Sequence, residues 1–317
     1  MQEVVRQRAG WWQGRGPDDV EEHDVTSELI IHRLSTGEST VIHASEEIFE
    51  APNWSPDGSW LLINSGGRLY RLPPAGGEPR LIDTGEQDKI NNDHCISPDG
   101  RTIYFSNGDG HLYAVPAEGG DTRRITNDHG SDFQHYLHGV SPDGTTLAYI
   151  GVAPGPGGAR TSNVLTIPAA GGADTQLTDL SVQNDGCEYT PDGRRMMINS
   201  ELAAESPGHA QLFEITLPVR MSDGSDLRQL TFDERVNWFP HPSPDGAVLL
   251  YLSYPPGTQG HPADKDVILR TLPLVDGSVP EAAQPVDVVA FRGGQGTINV
   301  NSWAPDSDQF AYVSYPD

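Results

Sequence analysis

Short runs in which apolar and polar residues alternate recur along the chain, and each follows a tight turn. In the clearest case the turn at 55–58 reads Ser-Pro-Asp-Gly, and the run from Trp60 to Ile63 follows it. Proline fixes φ near about −65° at the first corner of a turn, aspartate bonds backbone amides two residues on, and glycine supplies a positive φ. The pattern predicts a corner between two β-strands. Six corners occur, at 55–58, 97–100, 141–144, 190–193, 243–246 and, in a degenerate form, 304–307.

A second hairpin follows each of the first five corners, and it turns at glycine. Gly-Gly and Asp-Gly turns between β-rich runs are typical of hairpins. These hairpins cover 68–82, 111–126, 163–178, 211–231 and 266–286, and a sixth, at 29–43, precedes the first corner.

The first hairpin therefore lacks a corner, and the last corner, within 299–315, lacks a hairpin. Joining the two completes one more repeat and leaves no exposed sheet edge at the seam. The sequence predicts an all-β fold, a six-bladed β-propeller of four-stranded blades, closed by two N-terminal strands plus two C-terminal strands. We assign 27–317 to this single domain and 1–26 to an N-terminal tail or strap. Insertions at 153–160, 201–209 and 255–265 should emerge on one face of the ring.

The chain is strongly acidic, with 20 Lys and Arg against 45 Asp and Glu and a formal charge of −25. Such a surface repels phosphates and anionic lipid, so we expect no nucleic acid and no membrane as partners. No stretch approaches the about 20 apolar residues of a transmembrane helix, and 1–16 show no apolar signal segment. We therefore expect a soluble, cytoplasmic protein. Cys95 and Cys187 are expected to be buried free thiols.

The repeat, an aromatic residue followed by Ser-Pro-Asp-Gly as at 54–58, resembles the TolB-like, WD40-like PD40 propeller repeat. The resemblance covers the chain from residue 27 to its end and implies a propeller fold. That family includes periplasmic Tol-system propellers, the amino-terminal propellers of prolyl oligopeptidase-type enzymes and, more remotely, oligogalacturonate lyases. The chain has no Gly-x-Ser-x-Gly elbow, which argues against a peptidase of that type. A fold shared so widely does not specify a function.

Polar residues just before the corners are the candidates for chemistry, because inner strands line the channel of a propeller. Converging imidazoles and a carboxylate are a ligand set for a divalent metal such as Zn²⁺, Mn²⁺ or Fe²⁺. The predicted metal ligands, on four consecutive blades, are His94, His138, Glu188 and His241. The first two stand three residues before the corner and the last two stand two before it. Strand alternation turns such pairs to different faces unless a bulge intervenes.

Further polar residues complete the predicted site. We expect Asp93, His135 and Asp185 to transfer protons or orient the metal ligands, and Asn92, Asn237, Arg292 and Asn299 to bind the ligand. The segment His261–Lys265 is either a lid over the channel or a solvated loop. Asp88 and Asp128, in links between blades, are weaker candidates for Ca²⁺.

Two functions from different classes remain open. The first is a metal-assisted enzyme acting on a small polar substrate, and the resemblance to oligogalacturonate lyases suggests a carbohydrate and a lyase-type reaction, with hydrolase and isomerase as alternatives. The second is a non-catalytic scaffold of the Tol type that docks a peptide or protein on its loop face. Whether the protein is an enzyme, and its oligomeric state, are left open by the sequence.

Overall fold

A computed structural model describes residues 27–155, 159–204 and 206–316. These residues form 23 β-strands and no helix. Five sheets have four antiparallel strands and one has three. The six sheets are the blades of the predicted six-bladed β-propeller, so the fold prediction is confirmed. The predicted tail at 1–26 lies outside the described residues.

The first three complete blades follow one another along the chain, and each places its first strand innermost. Blade 1 consists of β3 (Phe49–Trp54), β4 (Leu61–Ser65), β5 (Arg68–Leu72) and β6 (Arg80–Leu81). Blade 2 consists of β7 (Ile90–Ile96), β8 (Thr102–Asn107), β9 (Leu112–Pro116) and β10 (Arg123–Arg124). Blade 3 consists of β11 (Gln134–Val140), β12 (Thr146–Pro154), β13 (Arg160–Pro168) and β14 (Thr175–Gln176).

The next two blades repeat this order with longer hairpins. Blade 4 consists of β15 (Asn184–Tyr189), β16 (Arg195–Ser200), β17 (Gln211–Thr216) and β18 (Leu227–Gln229). Blade 5 consists of β19 (Val236–Pro242), β20 (Val248–Tyr254), β21 (Lys265–Pro273) and β22 (Val286–Gly293). As predicted, the three insertions all join the second strand of a blade to its third.

Blade 6 closes the ring by joining the two ends of the described chain. Its sheet has the order β2 (Glu38–Ser45), β1 (Ser27–Arg33) and β23 (Gln309–Ser314), with β1 hydrogen-bonded to both neighbours. The innermost position is taken by residues 297–303, an irregular segment that bonds to β23 through Ala311 N to Ser302 O and Val313 N to Thr297 O. The N-terminal hairpin therefore completes the C-terminal blade.

The Ser-Pro-Asp-Gly corners hold the blades to one another as well as turning the chain. In the first corner the Ser55 hydroxyl donates to Asp57 Oδ1 over 2.7 Å, and the same carboxylate oxygen accepts from Ser59 N over 3.0 Å. Each corner glycine packs on the proline of the preceding corner, so that Gly100 faces Pro56. At the seam Gly58 faces Pro305. The corners of neighbouring blades therefore contact one another around the ring.

The hydrophobic core lies between adjacent blades rather than in the channel. One cluster joins Tyr104 and Leu112 of blade 2 to Leu147, Tyr149 and Leu165 of blade 3, and comparable clusters fill the other interfaces. Both cysteines are buried free thiols, as predicted. Within the described residues, no helix is long and apolar enough to cross a membrane.

All five complete inner strands are bulged at the same height. The pairing of the first strand with the second shifts register in β3, β7, β11, β15 and β19. A bulge adds an unpaired residue and re-aims the neighbouring side chains. In three blades the residue four before the corner has a positive φ, namely Ala51, Gly186 and Phe239. The bulges therefore decide which polar side chains share a level of the channel.

Candidate functional site

A small cavity lies beside these bulges, with about 290 Å³ of space between atoms that includes the solvent at its mouth. Side chains from blades 2 to 5, and from the segment that leads into blade 6, line it. The lining residues are Asn91, Asn92, Asp93, Tyr136, His138, Asp185, Phe239, His261, Gln295 and Asn299. Five of the eleven predicted site residues are among them, namely Asn92, Asp93, His138, Asp185 and Asn299.

A buried ion pair forms one wall of the cavity. His138 Nε2 lies 2.8 Å from Asp185 Oδ1, and both side chains are about 95% buried, with 4% and 5% exposed. Burial alone would lower the pKa of His138, but the charge and hydrogen bond of Asp185, with the charge of Asp93 and the carbonyl of Asn299, raise that pKa to about 9. Burial opposes ionisation of Asp185 as well, yet His138 holds the pKa of Asp185 well below its usual range. The pair is therefore imidazolium and carboxylate at neutral pH.

Asp93 is a second buried carboxyl, and it lies in a different environment. Burial raises the pKa of Asp93 to about 6, the neighbouring Asp185 adds to the rise, and His138 opposes it. Asn91 supports the carboxyl by donating from Nδ2 to Asp93 Oδ2 over 2.6 Å. Two carboxyls in one cavity thus have pKa values pushed apart, an arrangement typical of groups that exchange protons with a ligand.

A chain of side-chain amides forms the opposite wall. His261 Nδ1 lies 2.5 Å from Gln295 Oε1, and Gln295 Nε2 donates to Asn92 Oδ1 over 3.3 Å. Asn299 Nδ2 donates to the same Asn92 oxygen over 3.3 Å, while Asn299 Oδ1 accepts from Gly296 N. The Asn92 oxygen therefore accepts two hydrogen bonds, and its Nδ2 is buried without a hydrogen-bond partner among the residues that the structure describes. This amide nitrogen is an unused donor on a residue that lines the cavity.

Aromatic rings fix the position of His261 over the cavity. The His261 ring packs against Trp238, with centroids 4.3 Å apart, and edge-on against Phe239 at 5.2 Å. Phe239 has φ of 54°, a conformation that costs a side-chain-bearing residue on the order of 1–3 kcal/mol. Phe239 N donates to Asn199 Oδ1, which helps to hold the strained bulge. His261, in the longest insertion, is therefore packed into the cavity wall rather than solvated.

The four predicted metal ligands do not come together. His94 is fully buried, and its ring nitrogens lie 2.9 Å from Asn53 Oδ1 and 3.2 Å from Asn64 Oδ1 of blade 1. Burial lowers the pKa of His94 to about 3. The β7 bulge precedes His94, so this residue pairs regularly with Phe105, and its ring is held by Asn53 and Asn64 of blade 1.

His241 and Glu188 form a separate pair. His241 Nδ1 lies 2.5 Å from Glu188 Oε2, and its Nε2 lies 2.5 Å from the carbonyl of Ile298. Neither ring nitrogen is thus available to a metal shared with His138. Over the part of the chain that the structure describes, no group of three or more His, Cys, Asp or Glu side chains is arranged to hold a metal ion. The residues present do not fit the predicted divalent ion.

Three other predicted residues lie outside the cavity. His135 points into the interface of blades 2 and 3 because it alternates with Tyr136 along β11, and its Nδ1 donates to Gly110 O over 2.6 Å. Asn237 bonds Ser253, Gln211 and Asp233 at the junction of blades 4 and 5. Arg292 lies on the outer strand of blade 5, 4.0 Å from Asp266.

The two residues considered for Ca²⁺ have protein partners instead. Asp88 Oδ2 lies 3.9 Å from Arg68 Nη2, and Asp128 Oδ1 accepts from Gly130 N within its own turn.

Five lining residues are absent from the predicted site, namely Asn91, Tyr136, Phe239, His261 and Gln295. Asn91, Tyr136 and Phe239 lie in inner-strand segments, where aromatic and polar residues are ordinary. His261 is predicted only as part of the segment His261–Lys265, and Gln295 lies between glycines in a turn. Gln295 lies four residues before Asn299, and this spacing does not indicate that both amides bond to Asn92 of blade 2.

Comparison with known proteins finds two similar proteins from Agrobacterium, one of them of known structure. No family profile matches the sequence. An uncharacterised protein of Agrobacterium fabrum is 37% identical over 294 residues, which cover 91% of this chain and 92% of that protein. A solved structure from Agrobacterium tumefaciens, described as a TolB candidate, is 36% identical with a TM-score of 0.81, and the match covers 93% of this chain and 100% of that one.

A more distant structure is an oligogalacturonate lyase in complex with manganese. It is 15% identical with a TM-score of 0.53, and the match covers 84% of this chain and 67% of the lyase. At this identity the likeness shows the fold alone.

The expected cytoplasmic location is wrong. The chain is similar to a TolB structure, and TolB proteins are periplasmic. The expectation depended on residues 1–16, which lie outside the described residues.

Proposed function

The chain belongs to the TolB-like family of β-propellers, and we propose that it binds a small polar ligand in the cavity described above. The proposal is argued from the cavity because the propeller fold has many functions. The observation that carries the proposal is the unpartnered Nδ2 of Asn92, buried in a cavity that also contains the carboxyls of Asp93 and Asp185. Buried polar groups are almost always hydrogen-bonded, so an orphaned donor beside empty space indicates a missing partner.

The construction of the cavity supports this proposal. Its walls come from five blades, so the polar groups are held by a closed ring rather than by one flexible loop. The His138–Asp185 pair and the amide chain from His261 to Asn299 are both fixed by hydrogen bonds within the protein. Such preorganisation reduces the entropy lost when a ligand binds.

A proton transfer to the bound ligand is the second candidate function, and it retains part of the predicted lyase-type chemistry. Asp93 is the proposed proton acceptor, since its raised pKa of about 6 allows both protonation states near neutral pH. Asp185, held ionised by His138, is proposed to orient the imidazolium rather than to transfer the proton. His135 has no part in this proposal, and no metal is included because the predicted ligands do not fit one.

A binding screen tests the proposal. Melting temperatures of the purified protein are recorded with a panel of small amines, amides, polyols, sugars and carboxylates. We expect at least one class to raise the melting temperature, and we expect Asp93→Asn to abolish that rise. Asp121→Asn removes the same charge from an exposed loop and serves as the matched control, which should keep the rise.

A panel without any compound that stabilises the wild type would overturn the proposed function, as would hits that stabilise Asp93→Asn equally well. For the proton transfer, a hit compound incubated with the protein in D₂O should gain deuterium on carbon with the wild type and not with Asp93→Asn. Binding without exchange leaves the protein as a binder only.

A further inference from the structure

We infer that the ligand of this cavity carries a protonated primary amine, an inference that rests on the proposed function and names its ligand class. Three features of the cavity support the inference independently. They are the hydrogen-bonding capacity left open by the protein, the balance of charge, and the aromatic rings in the walls.

The open hydrogen-bonding capacity consists of acceptors on Asp93 and Asp185 besides the donor Asn92 Nδ2, which an ammonium does not satisfy and which needs an acceptor elsewhere on the ligand. Asp93 Oδ2 accepts from Asn91, and Asp185 Oδ2 lies 3.5 Å from His261 Nε2, while Asp185 Oδ1 lies 2.8 Å from His138 Nε2. By contrast, His138 donates to Asp185 and to the carbonyl of Asn299. The carboxylates of Asp93 and Asp185 therefore offer acceptors in the cavity wall, and an ammonium group supplies three donors.

The charge of the cavity also favours a cation. The ionised Asp185 is balanced by the imidazolium of His138, so an ionised Asp93 leaves an excess negative charge that, among the lining residues, the ring of His261 alone could offset. No Lys or Arg lines the cavity among the residues that the structure describes. An acidic sugar would bring a further negative charge into a buried site without a partner, which is costly, whereas an ammonium would complete a second ion pair.

Aromatic rings and the field of the whole protein support the same ligand class. Tyr136 and Phe239 line the cavity, and ring faces attract cations at close range. The net charge of −25 raises the local concentration of cations around the ring. A free small amine and the N-terminus of a peptide share this chemistry.

Isothermal calorimetry with three compounds of the same chain length tests the inference. The protein is titrated at neutral pH with n-butylamine, 1-butanol and butyrate. We expect measurable binding of butylamine and none of the other two at the same concentrations. Asp93→Asn should weaken the binding of butylamine at least about tenfold, the cost of one charged hydrogen bond. Asp121→Asn should bind it as the wild type does.

A second pair of titrations distinguishes the two sources of an amine. Trialanine with a free N-terminus is compared with N-acetyl-trialanine. Binding of the free peptide with higher affinity than butylamine assigns the site to a chain terminus, and binding of butylamine alone assigns it to a small amine.

The outcomes separate the inference from the proposed function. If 1-butanol or butyrate binds in an Asp93-dependent way and butylamine does not, the inference is wrong and the proposed function stands. If none of the amines binds while sugars or polyols of the screen do, the inference is again wrong. If no compound of the screen or of these titrations binds, both fail.

Discussion

At the scale of single residues, the cavity shows how neighbours set the protonation of chemically similar groups. Asp93 and Asp185 are both buried, but only Asp185 is hydrogen-bonded to His138. The pKa of Asp185 is therefore held low, whereas burial raises the pKa of Asp93 to about 6. The sequence placed both carboxyls in the channel, because they precede corners at similar distances. It could not tell which would pair with His138, since that depends on contacts between blades.

The His138–Asp185 pair should make stability depend on pH above neutrality. The pKa of His138 rises from 6.5 to about 9 on folding, so its stabilisation is fully present below pH 6.5 and is lost as pH rises through 9. We expect the free energy of urea unfolding to fall by about 3 kcal/mol over this interval. His138→Gln should remove most of this fall.

Asp185 of the pair and the nearby Asp93 titrate below pH 6.5 and so do not contribute to the fall in unfolding free energy between pH 6.5 and 9. Asp93 contributes stability below pH 3.8 that is lost as pH rises through about 6, and the contribution of Asp185 is present above 3.8 and lost on acidification. The control is His43→Gln on the outer strand of blade 6, which should keep the wild-type slope. Equal slopes for wild type and His138→Gln would contradict the buried ion pair.

At the scale of elements, the bulges of the inner strands explain why the four predicted metal ligands do not meet at one site. A regular alignment on the corners put His94, His138, Glu188 and His241 at one height. In the structure Glu188 and His241 pair regularly with the second strand, whereas His138 lies inside the β11 bulge. Gly186, Pro52 and Pro240 lie at the bulges and are typical of irregular backbone. A bulge, however, depends on packing across the ring as well as on local sequence.

The degenerate sixth corner, at 304–307, is a feature that the local sequence alone was sufficient to predict. Ala304 replaces the usual serine, so the hydroxyl oxygen that accepts from the backbone N–H at the start of the second strand, as Ser55 accepts from Trp60 N, is lost. Asp306 Oδ1 replaces it by accepting from both Asp308 N and Gln309 N, each at 3.0 Å. The corner was predictable from sequence because its hydrogen bonds lie within a few residues of one another.

The insertion 255–265 should contribute to binding through His261. His261→Ala removes the donor to Gln295 Oε1 and loosens the amide chain that holds Asn92. We expect the affinity for an Asp93-dependent hit of the screen to fall by about tenfold, the loss of one buried hydrogen bond. Calorimetric titration measures the change.

His209→Ala is the matched control, because His209 belongs to the neighbouring insertion and bonds the carbonyl of Asp233 outside the cavity. Its affinity should remain that of the wild type. An unchanged affinity in His261→Ala would show that the loop only covers the cavity.

At the scale of the whole molecule, blade number, strand order and the seam all followed from counting corners and hairpins. That count works because each repeat is one supersecondary unit, and an incomplete unit at each end indicates closure. The site did not follow in the same way, since its walls come from five blades whose residues are far apart in sequence. Five of the six other predicted residues lie on inner strands but make their contacts outside the cavity, and Arg292 lies on the outer strand of blade 5.

Ring closure should be essential to stability. Ending the chain at Asp308 removes β23, the strand that joins the N-terminal hairpin to the rest of blade 6. We expect loss of the cooperative melting transition, a destabilisation above about 4 kcal/mol. Starting the chain at Ser27 tests the assignment of the domain to 27–317 and should leave the melting temperature within a few degrees. A cooperative transition in the first variant would contradict closure by β1 and β23.

A crystal structure of the protein soaked with n-butylamine tests the role of the cavity most directly. We predict electron density for the amine in the cavity, with its nitrogen within hydrogen-bond distance of Asp93 Oδ1 or Asp185 Oδ2. Asn91, Asn92 and His138 should keep the positions described above. Density on the outer face of the ring, or an empty cavity at an amine concentration that saturates the calorimetric signal, would contradict a ligand site in the channel.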